Sequence, residues 1–298
     1  MSGPECCSNP PSLNPSRGCG HVDKVGGVDS YFSGSSHSKL ALLMLSDVFG
    51  YEAPNLRKFA DKVAAAGYYV VVPDLLDGAG HVEKLAALDS YLSGSPNSIA
   101  ILLVSDVFGY EAPNLRNIAD KVAAAGYYVV VPDFFYGDPY NPENASRPLS
   151  VWLKDHGTDK GSEAAKSIIE ALKSKGVTAI GAAGFCWGGK VVVELAKSRL
   201  IQADVLLHPA FVSVDDIKGV DIPTAVLGAE IDKMSPPELV KQFEQVLTAK
   251  PGVDCFVKIF PKVSHGWTVR YNPEDAEAVK AAEEAHQDML NWFAKHLK

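Results

Sequence analysis

The residues best placed to do chemistry lie in Gly184-Phe185-Cys186-Trp187-Gly188, a G-x-C-x-G pentapeptide between an apolar run and a helical pattern. In the serine form of this pattern a sharp turn from strand to helix lifts the central side chain clear of the sheet as a nucleophile. A cysteine there sits at a helix N-terminus, where the dipole and unpaired amides favour a thiolate. The other reading is a small buried cysteine in an ordinary strand-to-helix turn. Two further groups follow in chain order, Asp232 in Gly-Ala-Glu-Ile-Asp and His265 in Ser-His-Gly-Trp. Nucleophile, acid and base then come in sequence: His265 takes the thiol proton, and Asp232 fixes the tautomer and stabilises the imidazolium. Asp232 also suits a helix N-cap before Ser235-Pro236, and His265 a structural loop. Glu230 is the alternative acid, and His208 is out of order as the base. The remaining histidines, His21, His37, His81, His156, His286 and His296, read as surface or linker residues. No metal-ligand spacing is present, so no metal and no cofactor are expected.

These groups need a scaffold that brings distant loops to one rim. Val177–Ala183 reads as a buried strand, followed by a helix over Lys190–Arg199. Strands are also expected at Ile99–Val104, Tyr127–Val131, Ala203–Leu207, Pro223–Leu227 and Val253–Phe260. Helices are expected at Pro113–Ala125, Gly161–Lys175, Pro236–Ala249 and Pro273–Lys298. Strands alternating with helices predict a doubly wound, mainly parallel α/β sheet with its active loops at the strand C-termini. That geometry places Cys186, Asp232 and His265 on one rim. The oxyanion of an acyl-transfer reaction needs the amide of Trp187 and a second amide from the loop after an earlier strand. That loop, Ser-Asp-Val-Phe-Gly-Tyr-Glu-Ala-Pro, occurs twice, offering Val107 or Val48 as donor and Asp106 or Asp47 as an acid near the nucleophile. A helix-approach cap is the other use for that aspartate.

The repetition is extensive. Residues 21–80 recur from His81 onward, with Ser-Asp-Val-Phe-Gly-Tyr-Glu-Ala-Pro-Asn-Leu-Arg at Ser46–Arg57 and again at Ser105–Arg116. Two copies without a third indicate a duplicated β-α-β segment, not a solenoid. The expected organisation is a Pro/Ser-rich N-terminal arm over 1–20, a duplicated segment over 21–80, and the main domain over 81–298. The second copy is expected in the main sheet because it runs directly into the loop Phe134-Phe135-Tyr136, and the first copy as an appended lobe or edge extension. The net charge of -8 argues against nucleic acid, and no apolar run approaches a membrane span. Five cysteines (Cys6, Cys7, Cys19, Cys186 and Cys255) without metal spacing suit free thiols in the cytoplasm.

Together, Gly-Phe-Cys-Trp-Gly-Gly, the Ser-Asp-Val-Phe-Gly loop, Val-Val-Val-Pro-Asp-Phe-Phe-Tyr-Gly-Asp, Gly-Ala-Glu-Ile-Asp and Ser-His-Gly-Trp resemble the dienelactone hydrolase family, in order over about residues 81–298. The similarity is greatest to plant members that carry an endo-1,3;1,4-β-D-glucanase name. The resemblance implies an α/β-hydrolase fold with a Cys186–His265–Asp232 triad acting on small esters or lactones, as a monomer or weak homodimer. It also implies that Asp106 stands where bacterial members use a glutamate to modulate the cysteine, and that Arg270 holds a substrate carboxylate. Phe134, Phe135, Tyr136 and Trp267 are the expected pocket wall. Glucanase activity, or a scaffold whose site the duplication has disabled, are the alternatives.

Overall fold

The computed structural model describes residues 19–25, 28–46, 54–73 and 80–298; residues 1–18, with Cys6 and Cys7, and the first-copy Asp47 and Val48 lie outside them. The chain divides into two compact units, 1–79 and 80–298.

In the first unit the described elements are β1 (His21–Val25), β2 (Val28–Ser33), β3 (Ala41–Leu43), α1 (Pro54–Ala65) and β4 (Tyr69–Pro73). They form a sheet in the order β1-β2-β4-β3, antiparallel except for the parallel β3–β4 pair. A small core of Tyr31, Met44, Ala60, Val70 and Val72 lies between this sheet and α1.

The second unit repeats that order and continues it. Its elements are β5 (His81–Leu85), β6 (Leu88–Ser93), β7 (Ile99–Val104), α2 (Pro113–Ala124), β8 (Tyr128–Pro132), α3 (Leu149–Asp155), α4 (Thr158–Ser174), β9 (Ala179–Phe185) and α5 (Trp187–Lys197). They are followed by β10 (Ala203–Leu207), α6 (Val214–Lys218), β11 (Thr224–Ile231), α7 (Pro237–Thr248), β12 (Cys255–Ser264) and α8 (Ala276–His296). The eight strands run β12-β11-β10-β9-β7-β8-β6-β5. Every pair from β12 to β8 is parallel, and β6 and β5 close the edge as an antiparallel hairpin. This is a mainly parallel sheet with crossover helices on both faces, the α/β-hydrolase arrangement.

The physical cause is legible in the strands. β8 and β9 are buried along their whole length, as strands covered on both faces must be. On one face Ala165, Ile168, Val191, Leu195, Ile217 and Phe243 bring α4 to α7 onto the sheet. On the other, Leu115, Ile118 and Val122 of α2 and Met289 and Phe293 of α8 do the same. Each of these larger side chains contributes about 1.5–3 kcal/mol by leaving water, and the Ala165 methyl less.

Candidate active site

Cys186 sits between β9 and α5 with φ 52° and ψ −110°, a left-handed conformation that a non-glycine residue holds only when its surroundings impose it. The two flanking glycines impose it by close approach. A Cβ on Gly184 would stand 2.4 Å from the Gly188 carbonyl oxygen, and one on Gly188 would stand 2.2 Å from the Val104 carbonyl oxygen. Only bare backbone lets α5 start so close to β9 and to the end of β7. The Cys186 amide donates to the Leu207 carbonyl, and its own carbonyl accepts from Gly189 and Ala210, so the turn is tied to the end of β10.

The thiol itself departs from expectation. Burial pushes the Cys186 thiol up to about 12, the Asp106 carboxylate adds to the rise, and the opposing charge of Arg270 and a hydrogen bond from the Trp187 amide do not offset them. The helix dipole therefore does not win: the resting group is a neutral thiol, because a thiolate loses more hydration than the helix end returns.

β11 and β12 deliver the other two groups. Both run further than their apolar cores suggest, to Ile231 and Ser264, so Asp232 and His265 emerge together, one residue beyond each strand. The His265 amide donates to the Ile231 carbonyl, which locks the two ends in register. His265 Nδ1 lies 2.7 Å from Asp232 Oδ2. A carboxylate only accepts, so the proton is on Nδ1 and Nε2 carries the lone pair. Asp232 Oδ1 also accepts from the amides of Met234, at 2.7 Å, and Ser235. Burial alone would raise its carboxyl, but the bonds from His265 and these two amides hold it below the ordinary value. His265 Nε2 is buried and has no hydrogen-bond partner among the described residues. Glu230, the alternative acid, accepts from the Lys262 amide instead. His208 is fully buried, 2.7 Å from the Thr268 hydroxyl, with its ring edge-on to His265 at 5.1 Å. Burial, reinforced by the nearby Arg270 charge, pushes its pKa well down, so it packs against His265 as a neutral ring.

Asp106 follows β7, almost fully buried, with Oδ1 accepting from the Phe108 amide. Burial raises its carboxyl, against the pull of Arg270 and that amide. Arg270 Nη1 stands 3.6 Å from Asp106 Oδ2, and its guanidinium lies over the Phe108 ring. It reaches that position by folding back across Gly266, where any Cβ would collide with it. The arginine expected to face a substrate carboxylate is thus ion-paired to the buried Asp106 while its own side chain stays partly exposed.

The sequence profile of the Dienelactone hydrolase family matches residues 28–89 and again 88–297, meeting each copy of the duplicated segment in turn. The chain belongs to the dienelactone hydrolase family. Among its relatives, a carboxymethylenebutenolidase homolog of Xenopus tropicalis is 34% identical over 73% of this chain and 91% of its own length. A maize protein named endo-1,3;1,4-beta-D-glucanase is 46% identical over 54% of this chain, and the match spans only 52% of the maize protein. Among solved structures, a putative dienelactone hydrolase from Klebsiella pneumoniae superposes with a TM-score of 0.58 at 21% identity, covering 70% of this chain and 93% of that one, and supports the fold.

Within this dienelactone hydrolase family member, the expected pocket wall is redistributed. Phe135 is buried in a nest with Trp152 and Trp187, at centroid distances of 4.8 and 4.9 Å, because the loop after β8 turns inward there. Trp267 is buried beneath the rim against His208 and Phe260. Tyr136 is the exposed member, held at φ 54°. With Phe134, Trp187, His156 and Lys190 it borders a cleft of about 930 Å³ that does not include Cys186, Asp232 or His265. A smaller cleft of about 280 Å³ lies between Asp106, Phe108, Pro113, Leu115 and Arg270. Three histidines assigned to surface or linker are in fact packed. His286 is buried with Nε2 on the Thr268 carbonyl, and the His156 and His296 rings pack tilted against Trp152 and Trp292. No helix among the described residues is long and apolar enough to cross a membrane.

Proposed function

We propose that this chain hydrolyses small esters or lactones through a covalent thioester on Cys186. The observation that carries the reading is the Asp232–His265 bond, which leaves a buried Nε2 lone pair unused on the rim that carries a strained, neutral Cys186. Because the thiol rests protonated, attack requires that His265 Nε2 take its proton as sulfur adds to the carbonyl carbon, and Asp232 stabilises the imidazolium that forms. The carbonyl π pair moves to oxygen, where the amides of Trp187 and Val107 receive the charge. The contact of Gly188 with the Val104 and Ser105 carbonyls supports this pairing by setting the loop after β7 beside the start of α5. Collapse breaks the C–O bond, and the alkoxide leaves with the proton from His265; from a lactone it stays tethered as a hydroxy-acyl chain. Water, deprotonated by His265, then attacks the thioester and returns the thiol. In this reading Asp106 modulates the cysteine, and Arg270, released from Asp106, meets an anionic substrate group. Tyr136 lies at the approach, while Phe135 and Trp267 support the site from below.

The maize relative's name raises glycoside hydrolysis as a second reading. That chemistry uses two carboxyl groups about 5–10 Å apart across the scissile bond. Asp232 is bonded to His265 and Asp106 is paired with Arg270, which favours the ester reading. The deciding assay is hydrolysis of a short aryl ester and a dienelactone, with reducing-sugar release from mixed-linkage glucan measured in parallel. Cys186→Ala is expected to lose ester hydrolysis by about 10³-fold or more with folding unchanged. Equal ester activity in both proteins refutes the triad. Sugar release unaffected by Cys186→Ala establishes the glucanase, and no activity in either protein establishes a disabled scaffold.

A further inference from the structure

The first unit is a half-sheet whose second copy shows what it lacks. In the second unit β7 is flanked on its far side by β9, through six register pairs from Ile99↔Ala179 to Val104↔Gly184. Leu102 and Val104 then disappear under α4 and α5, and Ile118 of α2 lies in the same core as Met289 and Phe293 of α8. The corresponding residues of the first copy are Leu43, Leu45 and Phe59. Their exposures are 64%, 60% and 56%, against 0% for each of Leu102, Val104 and Ile118. Val25 is 47% exposed where Leu85 is 2%. Among the described residues β3 pairs only with β4, on one of its two edges.

The two edges of this small sheet differ. β1 carries His21, Asp23 and Lys24, the polar dressing that discourages strand addition. β3 reads Ala-Leu-Leu, with no charge. Leu42 and Met44 turn toward α1, which leaves Leu43 and Leu45 on the uncovered face, as the two-residue period requires.

Stoichiometry decides what suits this surface. The chain has two copies of the β-α-β segment and one set of elements that completes it, β9 to α8, already joined to the second copy. Exchanging the first copy for the second would only move the same unmet edge elsewhere. The surface with the same need and no partner to give up is the first unit of another molecule. We propose that the first unit is a dimerisation module whose partner is the same unit of a second copy of this chain, joined edge to edge through β3. A two-fold axis makes the β3–β3 pair antiparallel, extends the sheet across both molecules, and gathers Leu43 and Leu45 of each on one face.

The test is sedimentation velocity of the full chain from about 1 to about 100 µM, the range in which modest interfaces associate. A concentration-dependent dimer is expected, and Leu43→Lys/Leu45→Lys is expected to be monomeric with unchanged circular dichroism, since both positions already face solvent in a single unit. Should the lysine pair disturb folding, Leu43→Cys provides a second readout: oxidation is expected to give a dimer whose peptide map shows a 43–43 disulfide. A wild-type chain that stays monomeric at the highest concentration overturns the proposal. So does a dimer that survives both lysines, or an oxidised Leu43→Cys dimer without the 43–43 link. An intramolecular disulfide in Leu43→Cys/Ala182→Cys also overturns it, because β3 would then have taken the place of β7 beside β9.

Discussion

Asp204 stands near the start of β10, between Ala182 of β9 and Thr224 of β11, with no exposed surface. Neither carboxyl oxygen finds a hydrogen-bond donor in good geometry. The adjacent Thr224 hydroxyl gives only partial relief, since its proton is donated to the Ile222 carbonyl. Burial therefore pushes the carboxyl up to about 8. An unfolded aspartate titrates near 3.9, so between about pH 4 and about pH 8 folding takes up a proton at this site. Stability from this group is full below the unfolded value and falls by about 1.4 kcal/mol per pH unit until the folded group ionises. Asp204→Val keeps a similar volume and removes the titration. Urea unfolding followed by tryptophan fluorescence reports the second unit alone, because Trp152, Trp187, Trp267 and Trp292 all lie in it. Between about pH 5 and about pH 7 the difference between variant and wild type is expected to move by about 2.7 kcal/mol in the variant's favour. Packing differences and all other titrating groups cancel in that comparison. Parallel curves refute the reasoning, since they mean that Asp204 is ionised in the fold.

Two further outcomes follow from the same physics. Asp106→Asn keeps the acceptor for the Phe108 amide and removes the negative charge that raises the thiol, so Cys186 alkylation by iodoacetamide is expected to rise at lower pH than in wild type, with Cys186→Ala as the blank; an unchanged or upward-shifted profile contradicts it. The β5–β6 turn holds Ala86 and Ala87 at φ 48° and 70°, where the first copy has Gly26-Gly27, so Ala87→Gly is expected to stabilise by about 0.5–1 kcal/mol, read as a higher melting temperature; a lower one refutes the strain.

Much of the scaffold was legible because strand and helix periods are local. Val177–Ala183 and Ala203–Leu207 are mostly apolar runs; the first folds as β9 shifted two residues onward, to Ala179–Phe185, and the second as β10 with Asp204 inside it. What escaped the sequence depends on through-space approach. β11 continues past Leu227 through small and polar residues, and only its pairing with β12 carries it to Ile231. The five-residue α6 has too short an apolar pattern, although the Ser213–Asp216 capping box marked its start. Phe135 and Tyr136 are neighbours of like chemistry, and only the turn set by Asp133, which accepts from the Phe135 and Gly137 amides, decides which one goes inside. The thiol's protonation was misjudged for a related reason: a helix end is visible in sequence, whereas the depth at which it is buried is not.

The loop after β8 has a consequence for the rigidity of the site. Trp152 Nε1 donates to the Asp138 carbonyl, and Trp187 Nε1 donates to the His156 carbonyl. Arg147 and His156 both grip the Asp138 carboxylate. Lifting this loop would break all four attachments and unpack the aromatic nest around Trp187, the residue next to Cys186. This bank is therefore tied down at several points, whereas Arg270 is held by the Asp106 ion pair, a hydrogen bond to the His265 carbonyl and the Phe108 ring.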